Sequence, residues 1–391
     1  MTYVSRRARY GVPAVAVLAL GAAALVPALS GASSPPDLPA QTAAQLLVDI
    51  AKAQPPQVSG TLTWTANLGL SDLSTLENGA GQSAGGSSTG SGFDPLTLLS
   101  GSHEIDVWLD GATAEHLALL LPPAEEVDLV RNGDQAWLWD SETGTATHLV
   151  TTGAGPAGAA ASSANPGGAG AAVPSTAPPG PPLTPLQLAS RLLNHLSATT
   201  SVSVGDPLYV AGQPAYQLIV APSSASGSTI DHLEIDIAAS GPLRGVPLQV
   251  AIYAPGQTGP ALELGFTGTL HLGTPPAGEL TFTPPPGARV VTHTLTADGG
   301  GFTGAKTGRF GSLHKTGTGW TTVISGSSSE LVNGSQQGLF SQGTTVVNFA
   351  GRQGRLFSTD LLNVLILPDG QFYAGLVTPA VLEADASSSS A

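Results

Sequence analysis

The 391-residue sequence contains no cysteine. That excludes a disulfide framework, a thiolate metal site, a cysteine nucleophile and a lipid-modified N-terminal cysteine. Charge is also scarce: charged residues make up 10% of the chain, against about 25% in a typical soluble domain. Only three lysines are present, and the formal net charge is −14. A chain so short of cations is repelled by nucleic acid and by anionic lipid surfaces. After the first thirty residues no apolar run is long enough to cross a membrane.

Glycine, alanine, proline and a short N-terminal cationic segment are what the chain does have. Arg6, Arg7 and Arg9 precede an apolar run from Gly11 to Leu29, which ends in the small residues Ser30, Gly31, Ala32 and Ser33. A charged start, an apolar middle and a small-residue exit read as a secretory signal over residues 1–32, with an uncleaved N-terminal anchor as the alternative. Removing its three arginines takes the net charge to −17. The expected location is outside the cytoplasm, free or tethered to the cytoplasmic membrane.

Residues 78–92 and 152–182 are almost wholly Gly, Ser, Ala and Pro. Such segments bury too little apolar surface to offset the entropy of ordering them, so they are expected to be flexible insertions. Residues 297–311 are expected to be a Gly-rich linker, and 384–391 a disordered tail.

Two helices are predicted. One begins at Thr42, where Thr42-Ala43-Ala44-Gln45 forms a capping box, and buries Ala43, Leu46, Leu47 and Ile50. The other begins at Thr184, again with a capping box (Thr184 to Gln187) and with Pro185 at the first helical position, and buries Ala189, Leu192, Leu193 and Leu196. Most of the remaining ordered sequence alternates with period two. Leu62, Trp64 and Ala66 oppose Thr61, Thr63 and Thr65; Ile105, Val107 and Leu109 oppose Glu104, Asp106 and Trp108. Val127 and Leu129 are followed by Asn132-Gly133, a hairpin signal leading to Ala136–Trp139. Leu233, Ile235 and Ile237, then Leu262, Leu264 and Phe266, continue the pattern. The fold class expected is α+β: a large curved antiparallel sheet, a half-barrel, polar on one face and with the amphipathic helices covering the concave face. Enclosed apolar space of that kind either packs solid or holds a ligand. Leu361–Leu367 and Phe372–Val377, joined at Asp369-Gly370, read as a β-hairpin appendage within 312–383.

Val210-Ala211-Gly212-Gln213-Pro214-Ala215-Tyr216-Gln217-Leu218, Gly245-Val246-Pro247-Leu248 and Phe282-Thr283-Pro284-Pro285-Pro286-Gly287-Ala288 stand in that order. With the order helix, strands, helix, strands, they resemble the LolA-like superfamily of exported half-barrel proteins, which includes the RseB/MucB regulators, over about residues 38–292. The resemblance implies a concave apolar face that accepts the acyl chains of a lipid or lipoprotein. It implies no covalent chemistry and no cofactor. A lipid or acylated lipoprotein is the implied partner. The alternatives are an RseB-like sensor that contacts a membrane-bound envelope protein, an anti-sigma factor, and a ligand-free structural protein of the envelope.

Residues that carry chemistry elsewhere read blandly here. The eight histidines lie in no metal-type spacing and are expected at the surface. No Gly-x-Ser-x-Gly motif opens a strand-to-helix turn, and the Gly-rich stretches lack the Gly-Lys-Ser/Thr ending that a phosphate loop needs. Glu104 with Asp106, and Glu125-Glu126, read as solvated sheet-face acids. No catalytic or metal-ligating residue is assigned, and the chain is read as a non-enzyme. The binding residues expected are Trp64, Trp137 and Trp139 as cavity lining, with Leu192, Leu193 and Leu196 as the apolar stripe of a lid.

Overall fold

The structure, a computed structural model, describes residues 34–70, 95–121, 125–152, 184–187, 189, 199–223, 227–296, 313–327 and 344–388. The expected signal, both flexible insertions (but for residue 152), the linker and the lid residues Leu192, Leu193 and Leu196 lie outside the described residues.

Helix α1 spans Ala43–Lys52 and starts as the sequence predicts. The Thr42 hydroxyl accepts from the Gln45 amide at 3.3 Å, and the Gln45 side chain accepts from the Thr42 amide at 2.8 Å. Thr184 and Gln187 make the same reciprocal pair at 3.3 Å each, where a helical turn begins at 185–187.

Thirteen strands form one open sheet. They are β1 (Gln57–Asn67), β2 (Ser100–Asp110), β3 (Ala114–Leu121), β4 (Glu125–Asn132), β5 (Gln135–Asp140), β6 (Thr145–Thr152), β7 (Thr200–Val204), β8 (Leu208–Val210), β9 (Gln213–Pro222), β10 (His232–Ala238), β11 (Pro247–Tyr253), β12 (Leu262–Leu272) and β13 (Arg289–Thr296). The spatial order is β13-β6-β5-β4-β3-β2-β1-β12-β11-β10-β9-β7, with β8 also on β9. Every pair is antiparallel except β13 with β6. The Asn132-Gly133 signal works as expected. Gly133 takes φ +60, where a side chain would be strained, and Asn132 sits opposite Gln135.

Directly opposed residues share a face, so the register sorts the side chains. The row Phe266–Leu62–Ile105–Leu119–Val127 crosses β12, β1, β2, β3 and β4 on the inner face. The row Asp106–Ala118–Asp128–Trp139 crosses β2 to β5 on the outer face. The inner face carries two core clusters. One is centred on Leu62, Ile105, Leu119 and Leu264; the other packs Leu46 and Ile50 of α1 against Leu218, Val220, Leu233 and Ile235. Ala189, from the second predicted helix, is buried in the second cluster too.

The outer face departs from the polar reading over β3 to β6. The segment after β12 lies across it, with Leu280 buried and Phe282 against Trp137 and Trp139. Both faces of β3 are therefore covered, which explains why Ala-Glu-His-Leu-Ala-Leu-Leu-Leu shows no alternation and reads poorly as a strand.

The C-terminal region is larger than a hairpin. Strands β14 (His314–Thr316), β15 (Val323–Ser327), β16 (Thr344–Phe349), β17 (Arg352–Ser358), β18 (Asn363–Ile366) and β19 (Gln371–Gly375) form a six-stranded sheet ordered β14-β15-β19-β18-β17-β16. The predicted hairpin is its β18–β19 pair. Residues 384–388, expected to be disordered, belong to helix α2 (Pro379–Ser388). Its Leu382 and Ala386 are buried against Val323, Leu365 and Tyr373, and that burial is what holds a Ser-rich terminus helical.

Gly245 locks α1 to the large sheet. It has φ +81, and a Cβ there would stand 2.6 Å from the Asp49 carbonyl oxygen on α1. Gly245→Ala combines a left-handed backbone with a clash against main chain. The expected loss is more than about 2 kcal/mol of stability, read as a lower urea midpoint with an unchanged slope.

Candidate functional site

The two sheets are tied together at several points. Ser228 and Val377 form an isolated β-bridge, the Thr229 amide donates to the Leu376 carbonyl at 3.1 Å, and the Thr378 amide donates to the Gly227 carbonyl at 2.9 Å. The Thr229 hydroxyl donates to the Leu361 carbonyl. On the other side the Trp320 indole donates to the Thr200 hydroxyl at 2.9 Å, and the Asp360 amide to the Leu68 carbonyl at 3.0 Å.

Between these ties lies a cavity of about 500 Å³. Its floor is the inner face of β9 and β10 with the residue before β10: Val220, Leu233, Ile235 and Ile230. Its opposite wall comes from the small sheet: Trp320, Ile324, Leu362, Ala374 and Leu376, with Lys315 at the edge. Nine large apolar side chains are notably exposed among the described residues, and Ile324 (43%), Leu362 (38%) and Leu376 (41%) converge on this cleft. Exposed apolar groups scattered singly mean little, whereas three gathered in one concavity mark a surface built to be covered.

A wider hollow of about 730 Å³ lies at the C-terminal end of α1, among Asp49, Lys52, Gln54, Pro55, Pro56 and Arg244. Size alone would favour it. Its lining mixes the charged Asp49, Lys52 and Arg244 with apolar residues such as Leu243 and Leu272, and its Arg244 is already paired with Asp49 at 3.4 Å. Apolar lining and convergence put the smaller cleft ahead.

The three tryptophans expected at the site are not brought together. Trp64 lies on the inner face, its indole donating to the Leu98 carbonyl at 2.7 Å and its ring packed on the first core cluster. Trp137 and Trp139 lie on the outer face. The Trp137 ring stacks on His148 with centroids 4.0 Å apart and meets Phe282 at 5.4 Å. None of the three lines the cleft. Of the residues that line it from the small sheet, Leu362, Ala374 and Leu376 were legible only as hairpin positions, because nothing local says which face of a C-terminal hairpin meets a distant sheet.

The surface reading of the histidines fails for His116, which is 7% exposed on the outer face. Its Nδ1 donates to the Glu279 carbonyl at 2.7 Å, its Nε2 is 3.2 Å from Asp128 Oδ1, and its ring stacks on Trp108. This pair clamps the segment after β12 onto the sheet. Among the described residues no group of three or more His, Asp or Glu has the arrangement of a metal site.

The reverse of the cleft's floor is electrostatically unusual. Asp236, between Ile235 and Ile237 on β10, is 2% exposed, and its Oδ1 has no hydrogen-bond partner. Burial pushes its carboxyl up to about 7, helped by Glu234 and Glu263 and opposed by a hydrogen bond with Gln217. Glu263 is also raised, by burial and then by Glu234. Tyr253 donates to Glu234 at 3.0 Å and is raised by burial first and then by the same acid.

No protein-family model matches the chain, and no curated protein matches it. Solved structures similar to it include MucB, at 12% identity over 88% of this chain and 94% of that one, with a TM-score of 0.36. The complex of Pseudomonas aeruginosa MucA and MucB matches at 14% identity over 88% and 96%, with a TM-score of 0.36. A LolA superfamily protein from Nitrosomonas europaea matches at 11% identity over 62% and 99%, with a TM-score of 0.20. These include the two groups named from the sequence motifs.

Proposed function

We propose that the protein is an exported binding protein that holds an acyl chain of a lipid or acylated lipoprotein in the cleft between its two sheets. The observation that carries this reading is the convergence of three exposed apolar side chains on one 500 Å³ apolar cavity. The N-terminal pattern Arg6 to Ser33 supports export. Binding by enclosure needs no cofactor. Roughly ten buried methylenes, at about 0.8 kcal/mol each, gain roughly 8 kcal/mol before the costs of association are subtracted. The site differs from the one the sequence suggests: its lid is the small sheet, with Trp320 packed onto the large sheet's core.

The test is extraction of the detergent-free protein, made in an exporting host, followed by mass spectrometry of the organic phase. Stoichiometric acyl species are expected in the wild type. Leu376 is exposed enough to accept a carboxylate without unfolding the chain, so Leu376→Asp is expected to lose the ligand with its circular dichroism unchanged. A blank wild-type extract, together with no binding of a fluorescent fatty acid, overturns the reading.

A further inference from the structure

The cleft's charge and size narrow the ligand further, on the premise that the cleft binds an acyl chain as proposed above. Lys315 is the one charged residue among the described residues that line it. In the β14–β15 register Lys315 lies directly opposite Ile324, so both side chains share the face that lines the cavity. A lysine placed this way lays its four-carbon stem along apolar surface and keeps its ammonium at the rim.

Two facts make that position unusual. The chain has three lysines and a net charge of −14, yet one of the three stands at the edge of its apolar cleft. Among the described residues, no carboxylate lies within ion-pair distance of Lys315; the acid–base contacts on the small sheet involve Arg352 instead. The remaining lining among the described residues is apolar or uncharged. About 500 Å³ also lies in the lower half of the range for small-molecule sites, which runs from roughly 300 to 1,000 Å³. That suits one chain better than the two or three of a larger lipid.

We infer that the ligand is a single-chain amphiphile with an anionic head, its chain among Leu233, Ile235, Ile324 and Leu376 and its head on the Lys315 ammonium. A free fatty-acid carboxylate and a lysophospholipid phosphate share that chemistry. Because Lys315 is exposed, water and salt screen the pair, and the head contributes selectivity rather than most of the affinity.

The experiment is a binding titration of the full exported chain, each probe kept below its micelle concentration. The probes are palmitate, palmitoyl lysophosphatidic acid, uncharged monopalmitoyl glycerol and dipalmitoyl phosphatidic acid. The single-chain anions are expected to bind about fivefold more tightly than the uncharged monoacyl probe at low salt, the upper end for an exposed pair. That preference should shrink with added salt and vanish in Lys315→Gln, while the uncharged probe binds the variant and the wild type alike. Preference for palmitate alone names a free acid; preference for the phosphate alone names a lysolipid. Equal binding of charged and uncharged monoacyl probes, a uniform loss in Lys315→Gln, or tighter binding of the diacyl probe overturns the inference and leaves the cleft reading standing. Failure of every probe to bind overturns both.

Discussion

Asp236→Asn is expected to stabilise the protein at pH 8 by up to about 4 kcal/mol and to do little at pH 4. Asp236 is buried behind the floor of the cleft, and its folded carboxyl is pushed from 3.8 up to about 7. Between those two values the folded chain holds a proton that the unfolded chain has released. Stability therefore falls as pH rises through that window, and the burden is fully present above about pH 7. At about 1.4 kcal/mol for each tenfold, the interval sets the ceiling of about 4 kcal/mol. Asparagine keeps the shape and the capacity to bond Gln217 while removing the charge. Urea melts at pH 4, 6 and 8 check it: the wild-type midpoint should fall across the series and that of Asp236→Asn should stay nearly level. A wild type more stable at pH 8 than at pH 4 would show that the carboxylate is compensated. Glu234 and Glu263 surround the same spot, so Glu263→Gln should reproduce a smaller part of the gain.

His116→Ala is expected to cost about 3 kcal/mol or more. The substitution removes a ring that bonds Glu279 and Asp128 and stacks on Trp108, and it leaves Asp128, at 5% exposed, buried without that partner. Leaving a buried hydrogen-bonding group without its partner costs roughly 1–3 kcal/mol, because the survivor remains desolvated, and the lost packing of the ring adds to it. The double variant His116→Ala/Asp128→Ala should lose less than the sum of the two single changes. Additive losses in that cycle, measured by denaturant melts, would mean that the two side chains act independently. Proteolysis offers a second readout, since the clamp holds residues 277–282 on the outer face, and cleavage there should quicken in His116→Ala.

Much of the large sheet was legible in the sequence, for local reasons. Leu62-Trp64-Ala66, Ile105-Val107-Leu109 and Leu233-Ile235-Ile237 alternate because each strand has one face on the core, and a period of two survives in any window of six residues. The Thr42 and Thr184 capping boxes and the Gly133 and Gly370 turns were legible because each is settled within four residues. β3 was not, because burial on both faces erases alternation. α2 was not either: its Ala-Ser-rich turns carry no periodic signal, and its helicity comes from Leu382 and Ala386 packing on the small sheet.

The candidate site divides along the same line. By itself the sequence determined that there would be a long sheet with an apolar face, where its strands would turn, and that few cations would stand anywhere on the chain. Those properties are carried by residue type and near-neighbour spacing. Only the tertiary structure decided that Trp137 and Trp139 face away from Trp64, that His116 is a buried clamp, and that Lys315, Ile324 and Leu376 meet Leu233 and Ile235 across a cleft. Each of those facts depends on contacts between residues tens to hundreds of positions apart. The pairing of distant surfaces is set by burial summed over the whole molecule, which no local window records.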